Sequence, residues 1–358
     1  MVKLGIIFGG KSTEHEVSVS SATWLANNLS STEFEISYLY IEKTGSWKLL
    51  NKNEVLLLSE NKSVSQLSID NQTSEEMILS LTYSNNEIKK HENGLGNIDV
   101  FFPVMHGKYG EDGAIQGFLK LINKPFIGAD ILGSAVGLDK DVMKRLLRDA
   151  NLPIANFLTF YKSESHLISF DVIVKELGLP FFVKSATQGS SIGVSKVSSQ
   201  DMFEAAIAES FKYDTKIIIE EEIEGREIEC SVIGNENPEC SLPGEIEFGN
   251  YDFYSFDAKY SDPNEQVKFH IPPKDMTDDI IKNIQLLSAE TYKVLCCNGL
   301  ARVDLFLDKN NKLYVNEINT IPGFTNDSLF AKLWQKSGIS LDELFSKLIH
   351  FSLEKFEN

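Results

Sequence analysis

A chain of 358 residues exceeds the size at which one hydrophobic core stops growing, so two or three domains are expected, and 42% hydrophobic content is enough to fill them. The net charge of −18 argues against nucleic acid and anionic membrane surfaces as partners, since both are held by clustered Lys and Arg. No run approaches 18 apolar residues, and the N-terminal apolar stretch is too short for a signal sequence, so the expectation is a soluble cytoplasmic protein.

In chain order, Val2 to Phe8 reads as a short buried strand, Gly9-Gly10 as a turn, Val17 to Leu29 as a helix and Glu35 to Ile41 as a second strand. That succession opens a parallel, right-handed α/β unit. Asn51 to Gly96 is polar and irregular and reads as a surface insertion; Asp99 to Met105 is a further strand ending at His106-Gly107. A helix follows over Leu138 to Pro153, stopped by Asn151 and Pro153. Pro180 to Val197 is a strand, a Gly/Ser turn and a strand; Asp201 to Phe211 is a helix, and Lys216 to Gly234 holds two more strands. Arg302 to Leu307 and Leu313 to Asn319 are strands joined at Asp308 to Asn311, and a helix closes the chain. Cys230, Cys240, Cys296 and Cys297 show no C-x-x-C spacing and no nearby His to complete a zinc set, so reduced, buried or half-buried thiols are expected.

The opening GIIFGGKS fits G-x-x-x-x-G-K-[ST] letter by letter. In a phosphate-cradling loop, however, the four variable residues must lie between strand and helix so that their N–H groups can wrap an anion. Here Ile6, Ile7 and Phe8 belong to the strand, so too little loop is left. The spacing G-x-G-x-x-G of dinucleotide folds is also absent. Glu14 and Glu16 flank His15 just before the helix, where a carboxylate either receives an ammonium group or caps the helix N-terminus.

Arg302-x-Asp304 and Glu317-x-Asn319 place four polar groups on alternate positions of neighbouring strands, so each pair shares a face. Two carboxylates and an amide oxygen are hard ligands suited to Mg²⁺ carrying water and phosphate; the same pattern also suits a solvated face with an Arg–carboxylate ion pair. Lys140 and Lys184 read as a phosphate clamp, with the flexible stretch Ser185 to Gly193 either closing over phosphates or serving only as a turn. Ile217 to Glu220 and the later Glu227 suit an adenine edge and ribose hydroxyls, or a plain acidic hairpin.

In sequence order these segments resemble the ATP-grasp enzymes, and closely the D-alanine–D-alanine ligases. The resemblance is carried by GGKSTEHEVS, HGKYGEDGAIQG, LDKDVMKRLL, FVKSATQGSSIGVSKV, GREIECSVIGN, FDAKYSD, ARVDLF and NEINTIPGFTNDSL, spanning residue 5 to about 330. It implies a mixed α/β, three-domain ATP-grasp architecture: an N-terminal parallel α/β domain over 1–138, a central lid domain over 139–225 and a C-terminal domain over 226–358 with the metal and substrate site. It implies ATP-dependent formation of D-alanyl-D-alanine through an acyl phosphate, for peptidoglycan precursors, by a cytoplasmic homodimer.

By the same resemblance, Glu14 would bind the ammonium of the first D-alanine, with Ser190 and Tyr260 holding Glu14. Lys140 and Lys184 would bind ATP phosphates, Glu220 and Ile223 the adenine, and Glu227 the ribose, with Lys259 near the γ-phosphate. Asp304, Glu317 and Asn319 would hold two Mg²⁺, or Mn²⁺ in their place. Arg302 and the Gly323 N–H would stabilise an oxyanion, Ser328 and Leu329 would seat the second carboxylate, and His106 would lie near the substrate. Ser185 stands where the family usually has Pro, which is expected to loosen the lid; Ser255 and Phe256 replace the commoner residues of a second loop. Tyr260 favours the dipeptide over D-alanyl-D-lactate. D-alanyl-D-serine synthesis and a silent nucleotide-binding regulator are the competing readings.

Overall fold

The computed structural model describes residues 1–30, 32–58, 98–247, 268–326 and 328–357. Strands β1 (Val2–Gly9), β2 (Phe34–Ile41), β3 (Trp47–Leu50) and β4 (Val100–Val104) form a sheet in the order β3-β2-β1-β4, with β1 parallel to both β2 and β4. The β1 strand runs through Ile6, Ile7 and Phe8 to Gly9, as the exclusion of a phosphate loop requires. Gly9 is at φ +90° with the Ile41 carbonyl 2.2 Å from where a Cβ would sit, so only glycine lets the chain turn here.

Helix α1 (His15–Asn28) follows that turn. Helix α2 (Lys52–Leu58) lies inside the stretch read as irregular, a correction. Its cause is a reciprocal cap: the Asn51 N–H donates to Glu54 at 2.8 Å and the Glu54 N–H to the Asn51 side chain at 3.1 Å, ahead of the apolar Val55 and Leu56. The rest of that stretch, 59–97, lies outside the described residues. Helices α3 (Ala114–Leu121), α4 (Ile131–Leu138) and α5 (Lys140–Asp149) come next. The helix expected from Leu138 begins at Lys140 because Asp139 caps it, accepting from the Asp141 and Val142 N–H groups.

The second sheet, ordered β5-β8-β6-β7, contains β5 (Phe157–Tyr161), β6 (Phe181–Ser185), β7 (Val194–Val197) and β8 (Lys216–Glu221), with helices α6 (Phe170–Leu177) and α7 (Gln200–Tyr213). The third is ordered β12-β11-β9-β13-β14, with β10 on β9: β9 (Gly225–Gly234), β10 (Glu239–Cys240), β11 (Gly244–Glu247), β12 (Lys268–His270), β13 (Gly299–Asp308) and β14 (Leu313–Asn319). Helix α8 (Asp278–Val294) precedes β13. The expected single C-terminal helix is two, α9 (Leu329–Lys336) and α10 (Leu341–Glu357), separated at Gly338 with φ +93°. All four cysteines are free thiols, as expected, but Cys296 is exposed rather than buried or half-buried.

Period-two alternation sends Leu4, Ile6 and Phe8 of β1 to one face and Ile7 to the other. The first face is buried against α1 and against Phe345, Leu348 and Ile349 of α10; the second packs with Phe101, Ile115 and Leu119. The N-terminal sheet therefore shares a core with the C-terminal helices, which ties the two ends of the chain into one packed body.

Candidate functional site

Two cavities adjoin. The larger, of about 290 Å³, has walls from β6, β8, β9, β13 and β14 and is lined by Lys140, Lys184, Glu220, Ile223, Glu227, Arg302, Asp304 and Glu317. The smaller, of about 120 Å³, is lined by Glu14, His106, Ser190, Arg302, Glu317, Asn319, Gly323, Ser328 and Leu329. Arg302, Glu317, Glu229, Gly189 and Ser190 border both. Residues scattered from 14 to 329 are thus gathered around one junction. Lys259 and Tyr260, with Ser255 and Phe256, lie outside the described residues.

In the larger cavity the β8 carboxylate Glu220, 3% exposed, sits between the Lys184 ammonium at 2.6 Å and the Lys144 ammonium of α5 at 2.9 Å. Burial pushes this carboxyl up, but the two lysines outweigh it and hold it at about 2. Burial likewise works against the Lys184 cation, and Glu220 reverses the effect, leaving its pKa above the ordinary lysine value. Lys140 pairs with Glu317 at 3.3 Å and donates to the Gln188 carbonyl at 2.9 Å, so it joins β14 to the glycine-rich loop.

Arg302 lies where the cavities meet. Burial opposes its charge, yet Asp304 and Glu229 raise its pKa well above the ordinary value. Its Nε and Nη2 donate to Asp304 at 2.7 and 2.8 Å, and Glu229 on β9 is 3.1 Å away. Asp304 stands opposite Glu317 and Arg302 opposite Asn319 in the β13–β14 register, and the Asn319 amide donates to Asp304 at 2.9 Å. Among the described residues no three His, Cys, Asp or Glu side chains cluster as a metal site. The candidate set instead joins two carboxylates to a carboxamide, all hard oxygen donors, although Asp304 Oδ2 already accepts from both Arg302 and Asn319. This chemistry fits Mg²⁺, which leaves part of its shell to water and phosphate.

In the smaller cavity Glu14 occupies the N-cap position of α1 without making a capping bond. It accepts instead from the Ser190 hydroxyl, and the backbone of Gly189 approaches so closely that a Cβ there would lie 2.9 Å from its Oε2. Glu16 faces away and pairs with Lys43 at 2.6 Å. A second carboxylate, Glu111, shares this cavity; burial and the nearby Glu14 push it up to about 8 against the Gly107 and Ile321 N–H donors. Pushed up in this way, Glu111 largely keeps its proton at neutral pH, so the candidate for meeting an ammonium group in this cavity is Glu14.

Lys144, Glu111 and Glu229 escaped sequence reasoning. Glu229 had a signal, its alternation with Glu227 in an otherwise apolar strand. Lys144 reads on sequence as one charge of many in a basic helix.

Sequence comparison shows the family. The profile described as D-ala D-ala ligase N-terminus matches residues 3–129, and that described as D-ala D-ala ligase C-terminus matches 146–350. The chain belongs to the D-alanine–D-alanine ligase family. It is 43% identical to the D-alanine–D-alanine ligase of Oceanobacillus iheyensis over 99% of this chain and 95% of that one. It is also 43% identical to D-alanine–D-alanine ligase A of Escherichia coli K12, over 99% and 96%. Among solved structures it resembles the D-alanine–D-alanine ligase of Coxiella burnetii, with a TM-score of 0.83 and 32% identity over 100% of this chain and 96% of that one. The VanG D-Ala:D-Ser ligase of Enterococcus faecalis gives 0.81 and 32% over 98% and 99%. The ATP-grasp fold follows from this membership.

Where looseness was expected, the loop Ser185 to Gly193 is tied to α7 at both ends. Ser185 is buried and its hydroxyl donates to the Ser210 carbonyl of α7 at 2.8 Å; the Ser210 hydroxyl donates to the Gly193 carbonyl at 2.8 Å. Two serines thereby hold both ends of the loop to one helix, a bond that proline could not supply.

Proposed function

We propose that this chain joins two D-alanine molecules into D-alanyl-D-alanine at the expense of ATP, as a peptidoglycan-precursor ligase, with one D-alanine carboxylate first phosphorylated and the second amine then attacking the acyl carbon. The observation that carries the proposal is the junction of the cavities at Arg302 and Glu317, which allows a nucleotide in one to reach an amino acid in the other.

In this reading Lys140 and Lys184 hold phosphates, Glu220 and Ile223 face the adenine, and Glu227 takes the ribose. Glu14, held by Ser190, receives the first ammonium; Arg302 and the Gly323 N–H take the developing oxyanion; Ser328 and Leu329 seat the second carboxylate, and His106 borders the substrate. Tyr260 and Lys259 belong to the same proposal, near Glu14 and the γ-phosphate. Asp304, Glu317 and Asn319 would hold two Mg²⁺, with Mn²⁺ as a substitute, which would supply the neutralisation of phosphate charge. The loop from Ser185 to Gly193 keeps water from the acyl phosphate. We assign residues 1–138, 139–225 and 226–358 to three domains, and place the enzyme in the cytoplasm as a homodimer. No described helix is long and apolar enough to cross a membrane.

The test is Mg²⁺- and ATP-dependent phosphate release with D-alanine alone, then with D-serine or D-lactate added, each product being identified by mass. Release with D-alanine alone, a D-alanyl-D-alanine product and loss on chelation are expected. Release only with a mixed pair would reassign the acceptor to that of a relative such as the D-Ala:D-Ser ligase. ATP binding without release under any condition would replace the enzyme reading by the regulatory one.

A further inference from the structure

The segment Ile321-Pro322-Gly323-Phe324 carries the N–H assigned to the oxyanion, yet it is held almost entirely by side chains from the other end of the chain. The Ile321 N–H donates to Glu111 at 3.3 Å, and the other carboxylate oxygen of Glu111 accepts from the Gly107 N–H at 2.7 Å. His106 hydrogen-bonds the Ile321 backbone, while its Nε2 lies 3.2 Å from the Ser21 hydroxyl. The Ser21 oxygen accepts the Phe324 N–H at 3.2 Å.

One proton arrangement satisfies all of these contacts. Burial lowers the His106 pKa, so the ring is neutral. Its Nδ1–H donates to the Ile321 carbonyl, its Nε2 accepts from the Ser21 O–H, and the Ser21 oxygen is left to accept from Phe324. Ile321 thereby has both its backbone groups bound from the N-terminal layer, and Phe324 is bound on the far side of Gly323. With Ser21 on α1 and His106 and Glu111 on the turn after β4, the direction of the Gly323 N–H is set by a surface that has no covalent neighbour in β14.

We propose that Ser21 and Glu111 are positioning residues that, together with His106, clamp the Ile321–Phe324 segment so that the Gly323 N–H points with Arg302 at the reacting carbonyl. The proposal rests on the ligase reading above. A donor that must meet an oxyanion to within a few tenths of an ångström acts in the transition state far more than in the ground state. Loss of the clamp therefore lowers turnover while leaving nucleotide binding intact.

The test uses Ser21→Ala and Glu111→Gln in the full chain. The glutamine keeps the side-chain size but has only one acceptor oxygen, so it serves one of the two N–H groups. Turnover and the affinity for a phosphinate dipeptide isostere, whose tetrahedral phosphorus mimics the attacked carbon, should both fall by about tenfold or more, with KM for ATP and for the first D-alanine within threefold of wild type. In parallel, hydrogen exchange of the Ile321 and Phe324 amides should quicken about tenfold in the corresponding variant. Unchanged exchange and unchanged phosphinate affinity would overturn the clamp, as would equal weakening of phosphinate and D-alanine. If Ser21→Ala does not fold, Glu111→Gln alone decides. A wild-type chain that forms no dipeptide would refute the ligase reading, and the exchange measurement would still judge the clamp.

Discussion

Replacing Glu220 by Gln should separate the electrostatics of the larger cavity from its shape. The side chain keeps its size, but Lys144, 1% exposed, and Lys184 lose the carboxylate between them. Removing one partner of a buried ion pair costs about 3–5 kcal/mol, because the charge left behind is uncompensated. An independent route agrees: the fall of this carboxyl from its ordinary 4.5 to about 2 corresponds to about 3 kcal/mol at about 1.4 kcal/mol per tenfold change in ionisation. Because the folded-state value is the lower one, the contribution is complete above about pH 4.5 and disappears as the pH falls from there through about 2. Denaturant unfolding followed by circular dichroism should therefore show wild type exceeding Glu220→Gln by about 3 kcal/mol at pH 7 and by about 2 kcal/mol at pH 3.5. If the 358 residues unfold as one unit, with an entropy of about 2 cal/mol/K per residue, the variant melts about 4–7 °C lower. If the segment 139–225 melts on its own, the displacement is about four times larger. A variant within 1 kcal/mol of wild type at pH 7, or a gap that does not narrow in acid, would refute the reasoning.

Two further substitutions probe the junction and the loop. Arg302→Ala should lower kcat by about 10²- to 10³-fold with KM for ATP within threefold, as for loss of an oxyanion donor; equal losses in kcat and ATP affinity, from steady-state kinetics, would remove Arg302 from that role. Ser185→Ala deletes the bond to the Ser210 carbonyl, worth about 1 kcal/mol, and should quicken amide exchange across residues 187–193 about fivefold; exchange equal to wild type would show that the loop does not depend on this anchor.

The polar residues of the two cavities were legible in the sequence wherever they interrupt an apolar alternation. Arg302, Asp304, Glu317 and Asn319 stand out because charge at every second position of a core strand needs a reason, and the strands β13 and β14 do place them in register. Glu14 was ambiguous on sequence between capping a helix and meeting a ligand. The structure shows only that it makes no capping bond and accepts instead from Ser190, 176 residues away. Lys144 and Ser21 carried no local signal at all. A lysine in a basic helix and a serine in SVSSATW look like solvent-facing residues; what buries them is packing against β8 and against a loop 303 residues downstream. Period and spacing reveal which face a residue takes, whereas its partner across 100 residues or more is set by tertiary packing. The same limit explains α2, where a two-residue reciprocal cap overrides a polar composition.

Composition and site chemistry, which point in opposite directions at first, are reconciled by how the cations are held. A chain of net charge −18 repels polyanions at long range. The larger cavity is nevertheless lined by Lys140, Lys184 and Arg302, with Lys144 on the other Glu220 oxygen, each already matched to a carboxylate: Glu317 for Lys140, Glu220 for Lys184 and Lys144, and Asp304 with Glu229 for Arg302. Without those carboxylates, burial would work against the charged forms of Lys184 and Arg302. With them, Lys184 and Arg302 are held above their ordinary pKa values, whereas burial still lowers Lys144, and a triphosphate bound as proposed would exchange with carboxylates instead of entering an uncompensated positive well. Glu317 and Asp304 are the two carboxylates such an exchange would release from their Lys140 and Arg302 partners, and they are also the pair assigned to Mg²⁺. Nucleotide and metal would then enter together, each supplying the countercharge that the other's arrival displaces.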